Sequence, residues 1–231
     1  MKIAIIGATG GTGRKVLERA LELGHEVVAV ARRPEGITSA ERLIIRQGDV
    51  FDVSSMAKAI AGTDVVISCI GPTSNFSRGN GTSKGVLNVL AANFSPGTVM
   101  SKGIPNIIAA CQEAGVKRLV MQSGIGLSDG KELSAGNRWA IGMNRCILSK
   151  AIEDKAMAEH AVQRSGLDWV IVRPAGLNNA AATLNYTAGP LARIAPFRPL
   201  SFMDCADCLV RAAGEPAWVG KIVNVGRGMR K

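Results

Sequence analysis

Aromatic residues are scarce in this chain: they make up 4% of its 231 residues, and only one of them is a tyrosine. Surfaces that bind single-stranded nucleic acid stack bases on aromatic side chains, so this composition argues against such a surface. Acidic residues are also few, since 18 Asp and Glu oppose 28 Lys and Arg and leave a net charge of +10. The basic residues are dispersed except in the tail at 227–231. We therefore expect a small anionic ligand and no nucleic-acid partner.

Long hydrophobic runs are absent as well. No stretch of 18 or more apolar residues is present, and the apolar N-terminal run ends at Gly7, which is too short for a signal peptide. The five cysteines are an odd number in a chain large enough to fold without disulfides, so reduced thiols are expected. These features predict a cytoplasmic protein with no membrane partner.

Residues that hold metals are few and poorly spaced. The two histidines, His25 and His160, have no partners at ligand spacing. Cys205 and Cys208 form a C-x-x-C pair near a predicted helix start, where a thioredoxin-like dithiol is one interpretation. No second pair accompanies it, so buried packing on one helix turn is favoured and no metal is expected.

Short apolar runs alternate with amphipathic stretches along the chain, which is the pattern of βαβ units in a parallel sheet. Strands are predicted over residues 2–7, 26–31, 43–46, 64–70, 117–122, 168–173 and 221–225. Helices are predicted over residues 13–23, 53–61, 101–114, 150–165 and 204–213, the last capped by Asp204. The pattern indicates a single α/β domain over 1–231, a Rossmann-type doubly wound parallel sheet with helices on both faces.

Two stretches interrupt this alternation, at about 73–97 and 175–200. Stretches of this length without a clear element are usually functional or mobile. Both follow predicted strands, and ligands of such folds bind at the carboxyl ends of the strands. The two stretches are therefore candidate walls of a substrate pocket.

The first predicted strand leads into a glycine-rich loop with the sequence G-A-T-G-G-T-G. Its G-x-x-G-x-x-G spacing permits a tight turn and a close approach of backbone to a pyrophosphate. The helix that follows offers free N–H groups and the positive end of its dipole to the phosphates. A strand before and a helix after are the context that makes such a motif specific. We predict dinucleotide binding through Gly7, Thr9, Gly10, Gly11, Thr12 and Gly13.

The end of the second predicted strand indicates which dinucleotide binds. A carboxylate there would hydrogen-bond the ribose 2′-OH of NAD, whereas arginine accommodates the 2′-phosphate of NADP. The strand ends in Ala31-Arg32-Arg33, with Arg14 one residue past the loop. Guanidinium groups suit a phosphate dianion, so NADP(H) is the predicted cofactor, with an exposed basic turn as the alternative.

The glycine loop, S-G-L-D-W over 165–169 and V-R-P over 172–174 resemble the short-chain dehydrogenase/reductase superfamily. G-A-T-G-G-T-G is similar to its atypical branch, the NmrA-like proteins and the biliverdin/flavin reductase group. The resemblance covers most of the chain but not 73–97 or 175–200. It implies that Asp49, Val50, Ile70 and Gly71 line the adenine and the dinucleotide backbone, with ordinary turn chemistry as the alternative. It also implies that Pro174 belongs to the cofactor site.

The same resemblance assigns the catalytic residues and shows that one of them, the tyrosine, is missing. The main branch of the superfamily uses a Ser and a Y-x-x-x-K motif. Ser123 stands at the family Ser and Lys155 at the Lys, but Ala151 occupies the Tyr position, and Tyr186 lies far downstream. Ser123 is either a donor to the acceptor or nicotinamide or a strand-end Ser bonding backbone. Lys155 either holds the nicotinamide ribose or is a solvated helix Lys.

The absence of this tyrosine favours some reduction reactions over others. A carbonyl reductase must protonate an alkoxide as hydride arrives, which needs a positioned acid. A flavin or quinone stabilises the added charge itself, so the protein supplies mainly position and desolvation. We therefore expect an NADPH-dependent reductase of a planar conjugated acceptor. A non-catalytic NADP(H)-binding regulator, as in NmrA-like cofactor sensors, is the alternative.

Overall fold

A computed structural model describes residues 1–71, 98–128, 149–190 and 192–228, and its main feature is an eight-stranded sheet. The strand order is β3-β2-β1-β4-β5-β6-β10-β8, with β8 antiparallel to β10 and the other neighbours parallel. These strands are β1 Lys2–Ile6, β2 Glu26–Ala31, β3 Leu43–Gln47, β4 Val65–Ser68, β5 Arg118–Gln122, β6 Asp168–Pro174, β8 Thr187–Pro190 and β10 Lys221–Gly226. Two short strands, β7 Leu177–Asn178 and β9 Leu200–Ser201, pair with each other outside this sheet.

Five helices in the described residues cover the two faces of the sheet. They are α1 Gly11–Glu22, α2 Val53–Ile60, α3 Val99–Glu113, α4 Ser149–Gln163 and α5 Phe202–Gly214. Helices α1 and α5 pack together on one face, and α2, α3 and α4 cover the other. The predicted doubly wound Rossmann-type fold is confirmed. Among the helices of these residues, none is both long enough and apolar enough to cross a bilayer.

The helix starts follow from local side-chain chemistry. Asp52 caps α2, because its carboxylate accepts a hydrogen bond from the Ser55 amide at 3.0 Å. Ser201 caps α5, because its hydroxyl accepts from the Asp204 amide at 2.9 Å. The prediction that Asp204 caps this helix was therefore wrong: it lies one turn inside, and its carboxylate is used elsewhere.

The predicted strands and helices recur within about two residues at each end, and the strand at 26–31 has its predicted bounds. The 175–200 stretch is less irregular than expected, since it contains β7, β8 and β9. Their lengths of two and four residues are too short to show an alternation of apolar and polar positions. The predicted pocket wall at 73–97 lies outside the described residues.

Candidate functional site

The glycine loop takes a shape that side chains would obstruct. Gly7 has a φ of +82°, and a Cβ on it would lie 3.1 Å from the carbonyl oxygen of Cys69. A Cβ on Gly13 would lie 2.1 Å from the carbonyl oxygen of Gly7, which is well inside van der Waals contact. The close packing of the loop against itself and against the end of β4 therefore requires glycine at both positions.

The loop leaves the start of α1 open to a ligand. Gly10 is the N-cap residue and has no side chain to cap the first turn. Its own amide donates to the carbonyl oxygen of Gly7 at 3.0 Å, which closes the loop. Thr9 and Gly10 are exposed, whereas Thr12 is buried. Because the first amides of a helix have no intrahelical partner, this uncapped turn fits a pyrophosphate.

The loop lies at the point where the strand order of the sheet reverses. β1 pairs with β2 on one side and with β4 on the other, and both connections that leave their carboxyl ends meet there. Nucleotides bind in open α/β sheets at such a switch point. The structure thus brings the glycine loop and Ile70-Gly71 to one edge of the sheet.

Arg14, Arg32 and Arg33 are exposed at this edge. The backbone carbonyl of Arg32 accepts a hydrogen bond from the Gln47 side chain at 3.2 Å, which ties the end of β2 to β3. Within residues 1–71, 98–128, 149–190 and 192–228, no side chain pairs with any of the three guanidinium groups. No side chain in this part of the chain competes with an external anion for them.

Val50 and Ile70, predicted to line the dinucleotide, are brought together by α3. A Cβ on Gly103 would lie 3.2 Å from both Val50 Cγ2 and Ile70 Cδ1, so the helix packs closely on both side chains. The side-chain amide of Asn106 donates to the Val50 carbonyl at 2.9 Å. Sequence reasoning missed Gly103 and Asn106, because neither belongs to a motif and both act from a helix distant in sequence.

Asp49 is occupied by turn chemistry. Its carboxylate accepts a hydrogen bond from the Phe51 amide at 3.0 Å, and its backbone carbonyl accepts from the Asp52 amide at 3.0 Å. These contacts favour the turn interpretation of Asp49 over a contact with adenine. Gly71 is exposed at the end of its described segment.

Ser123 and Lys155 meet at the carboxyl end of β5. The Ser123 hydroxyl is buried and has no hydrogen-bond partner among the described residues, although its amide donates to the Val172 carbonyl at 2.8 Å. The ammonium of Lys155 lies 3.4 Å from the position of a Cβ on Gly124. Pro174 is buried at the end of the neighbouring strand. An unpaired buried hydroxyl is costly, and a polar atom of a ligand would relieve that cost.

The pKa of Lys155 is lowered from the ordinary 10.5, because partial burial removes water from around its ammonium. The carboxylates of Glu159 and Asp154 oppose this effect by favouring the charged ammonium. Asp154 also accepts the amide of Ser101 at 2.9 Å, so it holds the start of α3 against α4.

An internal ion pair fixes the helix that carries Lys155. Arg173 of β6 and Glu159 of α4 form two hydrogen bonds, of 3.0 and 2.5 Å, and their side chains are 13% and 5% exposed. This bidentate geometry orients α4 on the sheet one turn after Lys155. This pair could not be predicted from the sequence, because Arg173 falls within a predicted strand and Glu159 within a predicted helix.

Tyr186 is remote from Lys155. Its hydroxyl donates to the Asp207 carboxylate at 2.5 Å, and Arg19 of α1 donates to the other oxygen of Asp207 at 2.7 Å. Burial and this hydrogen bond raise the pKa of Tyr186. Tyr186 packs with the core on the α1 and α5 face, whereas α4 covers the opposite face. The chain's single tyrosine therefore does not replace the residue missing at Ala151.

The C-x-x-C pair is fully buried in α5. Cys205 and Cys208 have no exposed surface, and burial raises the pKa of Cys208 to about 12 and that of Cys205 well above its usual value. Both thiols are therefore protonated at neutral pH and pack as small apolar groups. This favours the packing interpretation over a dithiol.

Comparison with protein families gives a match over most of the chain: the sequence model of a family described as NAD(P)H-binding matches residues 7–216.

Curated relatives match shorter stretches. An uncharacterized protein of Mycobacterium tuberculosis is 41% identical over 70 residues, which are 30% of this chain and 8% of that protein. An isoflavone reductase homolog of Zea mays is 32% identical over 80 residues, 30% of this chain and 26% of the relative. An uncharacterized chloroplastic protein of Arabidopsis thaliana is 27% identical over 198 residues, 82% of this chain and 64% of the relative. The chain spans less than two thirds of the length of each of the three.

Solved structures of the same fold cover nearly the whole chain. ChuY, an anaerobillin reductase from Escherichia coli, has a TM-score of 0.74 and 23% identity, with 100% of this chain and 99% of that chain covered. A short-chain dehydrogenase/reductase from Veillonella parvula in complex with NADP has a TM-score of 0.72 and 17% identity, with coverage of 98% and 94%. An oxidoreductase from Lactococcus lactis has a TM-score of 0.72 and 22% identity, with coverage of 99% and 91%. These likenesses show the fold.

Proposed function

The chain belongs to the NAD(P)H-binding family, and on this premise we propose that it is an NADPH-dependent reductase that transfers hydride to a planar conjugated acceptor of the flavin or quinone type. The observation that carries the proposal is that the glycine loop, Lys155 and the buried Ser123 hydroxyl, which has no hydrogen-bond partner among the described residues, lie at one edge of the sheet. The glycine loop would hold the pyrophosphate of the cofactor, and Ser123 would lie within the same site, since the carboxyl ends of β1, β4 and β5 are adjacent.

The preference for NADPH over NADH rests on the arginines at the start of the site. Arg32 and Arg33 follow β2, and no carboxylate stands at that strand end. Their guanidinium groups, with that of Arg14, are exposed and have no side-chain partner in the described part of the chain. They fit the 2′-phosphate, and the complex of the Veillonella parvula relative with NADP is consistent with this choice.

Paired titrations of NADPH and NADH test this preference. Charge-assisted hydrogen bonds contribute about 1.5–3 kcal/mol each, so Arg32→Ala/Arg33→Ala should weaken NADPH binding at least tenfold, by roughly 1.4 kcal/mol or more. NADH binding should change little. Arg164→Ala, which removes an exposed arginine beyond the far end of α4, is the matched control. Equal or tighter binding of NADH by the wild type contradicts the preference.

At the other end of the site, Ser123 and Lys155 are the polar groups that the described residues offer. When bound, NADPH supplies the hydride. In this proposal the ammonium of Lys155 would hold the nicotinamide ribose, and the Ser123 hydroxyl would donate a hydrogen bond to the nicotinamide or the acceptor. No tyrosine stands in the position of the family's acid, which Ala151 occupies. Tyr186 is bound to Asp207 on the face of the sheet opposite α4.

An acceptor that does not need a protein acid is therefore favoured. A conjugated ring delocalises the added charge and takes its proton from water, so the protein contributes position and exclusion of solvent. The names of two relatives support reduction of conjugated compounds: the isoflavone reductase homolog of Zea mays and the anaerobillin reductase ChuY.

Oxidation of NADPH with a panel of flavins and quinones tests the reductase. Activity should depend on the acceptor, and Ser123→Ala and Lys155→Met should each lower kcat/KM while the fold is retained. Thr63→Ala, which removes a buried hydroxyl bonded to the Ile60 carbonyl at the opposite edge of the sheet, is the control for loss of a hydroxyl. Failure of every acceptor in the panel contradicts the proposal.

The second candidate is a non-catalytic NADP(H)-binding regulator that recognises a protein partner. The observation that favours it is the hydrogen bond of Tyr186 to Asp207, which keeps the single tyrosine from acting as the acid. A cofactor sensor needs no such acid. A sensor would bind NADPH without oxidising it, and its partner binding would depend on the redox state of the cofactor. Partner binding that ignores the cofactor would remove this candidate.

A further inference from the structure

Residues 179–185 form an exposed segment between β7 and β8, which we call the strap. It follows β7, which comes shortly after β6 along the chain. Ala175, at the start of this excursion, packs in a small cluster with Ile125, which lies two residues after Ser123, and with Ile194. The chain that leads into the strap therefore passes the carboxyl end of β5.

One buried carboxylate holds the strap. Asp204 is 0% exposed, and one of its oxygens accepts hydrogen bonds from the amides of Thr183 at 2.9 Å and Leu184 at 2.7 Å. Its other oxygen accepts from the Thr183 hydroxyl at 3.3 Å. All three bonds join α5 to a segment about twenty residues earlier, and bonds of amides to a charged carboxylate are among the stronger ones.

The backbone conformation of Leu184 depends on these hydrogen bonds to Asp204. Its φ of +50° lies in the left-handed region, which costs a leucine roughly 1–2 kcal/mol. Such a conformation persists only where its surroundings fix it. The amide of this residue makes the shortest of the three bonds to Asp204.

The strap presents small apolar groups to solvent. Ala180, Ala181 and Ala182 are exposed, and Leu184 is 50% exposed. Tyr186, the next large side chain, turns away and is bound to Asp207. A surface of alanines and a leucine suits the face of a planar ring, because binding would bury apolar area without the loss of hydrogen bonds.

The same helix start also touches the phosphate loop. The ring of Phe202, the first residue of α5, lies 3.2 Å from the position of a Cβ on Gly11. Ser201 caps the helix through the amide of Asp204. The first turn of α5 therefore contacts both the phosphate loop and the strap.

We propose that Asp204 is a positioning residue for acceptor binding: its buried carboxylate holds Thr183 and Leu184 so that the strap forms the apolar wall on which the acceptor ring lies. This inference rests on the proposed reductase function. Asp204 itself touches neither cofactor nor acceptor.

The test compares Asp204→Ala with Asp64→Ala, using FMN as the acceptor probe. Asp64 also binds a backbone amide, that of Lys2 at 2.7 Å, but at the opposite edge of the sheet. The dissociation constant of FMN is measured by equilibrium dialysis with NADP⁺ bound, that of NADP⁺ by titration, and cleavage within 179–185 by limited proteolysis. If the strap of the variant adopts its binding-competent conformation in only about a tenth of the molecules, the dissociation constant of FMN rises about tenfold. For Asp204→Ala we expect this rise in the dissociation constant of FMN and cleavage within 179–185 that the wild type does not show. The dissociation constant of NADP⁺ should stay within about twofold of wild type.

Asp64→Ala should leave FMN binding and strap cleavage unchanged. If Asp204→Ala does not fold, Asp204→Asn, which keeps the shape and removes the charge, should show a smaller rise in the same constant. Unchanged FMN binding in the folded variants overturns the inference and leaves the proposed function standing. A wild type that binds NADPH but neither FMN nor a quinone refutes the proposed function and this inference with it.

Discussion

Gly13 shows how a single atom decides the shape of the cofactor loop. A Cβ there would lie 2.1 Å from the Gly7 carbonyl oxygen, and the obstacle is backbone that cannot rotate away. Gly13→Ala is expected to destabilise the fold by about 1–3 kcal/mol, the usual cost of overpacking. It should also weaken NADPH binding at least tenfold, because a shifted loop loses roughly 1.4 kcal/mol or more of phosphate contact.

Thermal unfolding and NADPH titration check this prediction. The matched control is Gly214→Ala, where the new Cβ would meet the Met1 side chain at an ordinary 3.4 Å. That variant should bind NADPH like the wild type. Equal binding by Gly13→Ala and wild type would contradict the structure of the loop described above.

Lys155 gives a second prediction at the residue scale, in the pH dependence of stability without cofactor. Burial lowers its pKa below the ordinary 10.5, so between these two values the unfolded chain binds more protons than the folded chain. The free energy of unfolding therefore rises with pH in this window as the cost of burying a charge disappears. Lys155→Met removes the penalty and should gain most over wild type at pH values below the lowered pKa.

Urea unfolding from neutral to alkaline pH measures this difference. The advantage of Lys155→Met over wild type should shrink as the pH approaches 10.5. Lys221→Met, which removes an exposed lysine at the start of β10, controls for the loss of charge. Parallel curves for Lys155→Met and wild type would show that the amine is not desolvated.

Prediction from the sequence succeeds at the residue scale where one motif contains the whole cause. The loop could be predicted from the spacing of Gly7, Gly10 and Gly13, because its internal contacts are between residues close in sequence. Ser123 and Lys155 are 32 positions apart, and only the resemblance to a family indicated that they meet. Asp204 was assigned to a helix cap, since its partners at 183–184 lie in a stretch with no readable pattern.

At the scale of elements, the attachment of α4 to β6 rests on the Glu159–Arg173 pair. Breaking a buried pair strands one charge, so Arg173→Met is expected to cost about 3–5 kcal/mol. The double variant Glu159→Leu/Arg173→Met removes both charges and should recover most of that loss. Urea unfolding of the wild type, both single variants and the double variant measures the coupling. Additive effects of the two substitutions would contradict it.

Elements with a strong period were predictable, and elements held by pairing were not. Helix α1 and strand β2 have apolar residues at helix and strand spacing, and the structure has both where they were predicted. Strand β8 has the sequence T-A-G-P and exists because it pairs antiparallel with β10 at the sheet edge. Strands β7 and β9 have two residues each and depend on each other. Partners distant in sequence leave no local trace.

At the scale of the molecule, alternation of strands and helices predicted a parallel sheet covered on both faces, and the structure has it. The reversal of strand order between β1 and β4 has a functional consequence that alternation alone does not contain. It brings the loop after β1, the arginines after β2 and the Ser123 hydroxyl after β5 to one edge. The site is a property of the whole sheet, because these three separate segments meet only when the sheet forms.

The most direct test of the reductase is single-turnover oxidation of NADPH and of NADPH carrying deuterium at C4 of the nicotinamide, each with and without FMN. We expect oxidation that requires FMN and is slower for the deuterated cofactor, because a hydrogen on C4 is the one transferred. Ser123→Ala should slow the reaction without weakening NADPH binding to the same degree. Tight NADPH binding with no FMN-dependent oxidation, and none with a quinone in its place, would contradict the account and favour the cofactor-sensing regulator.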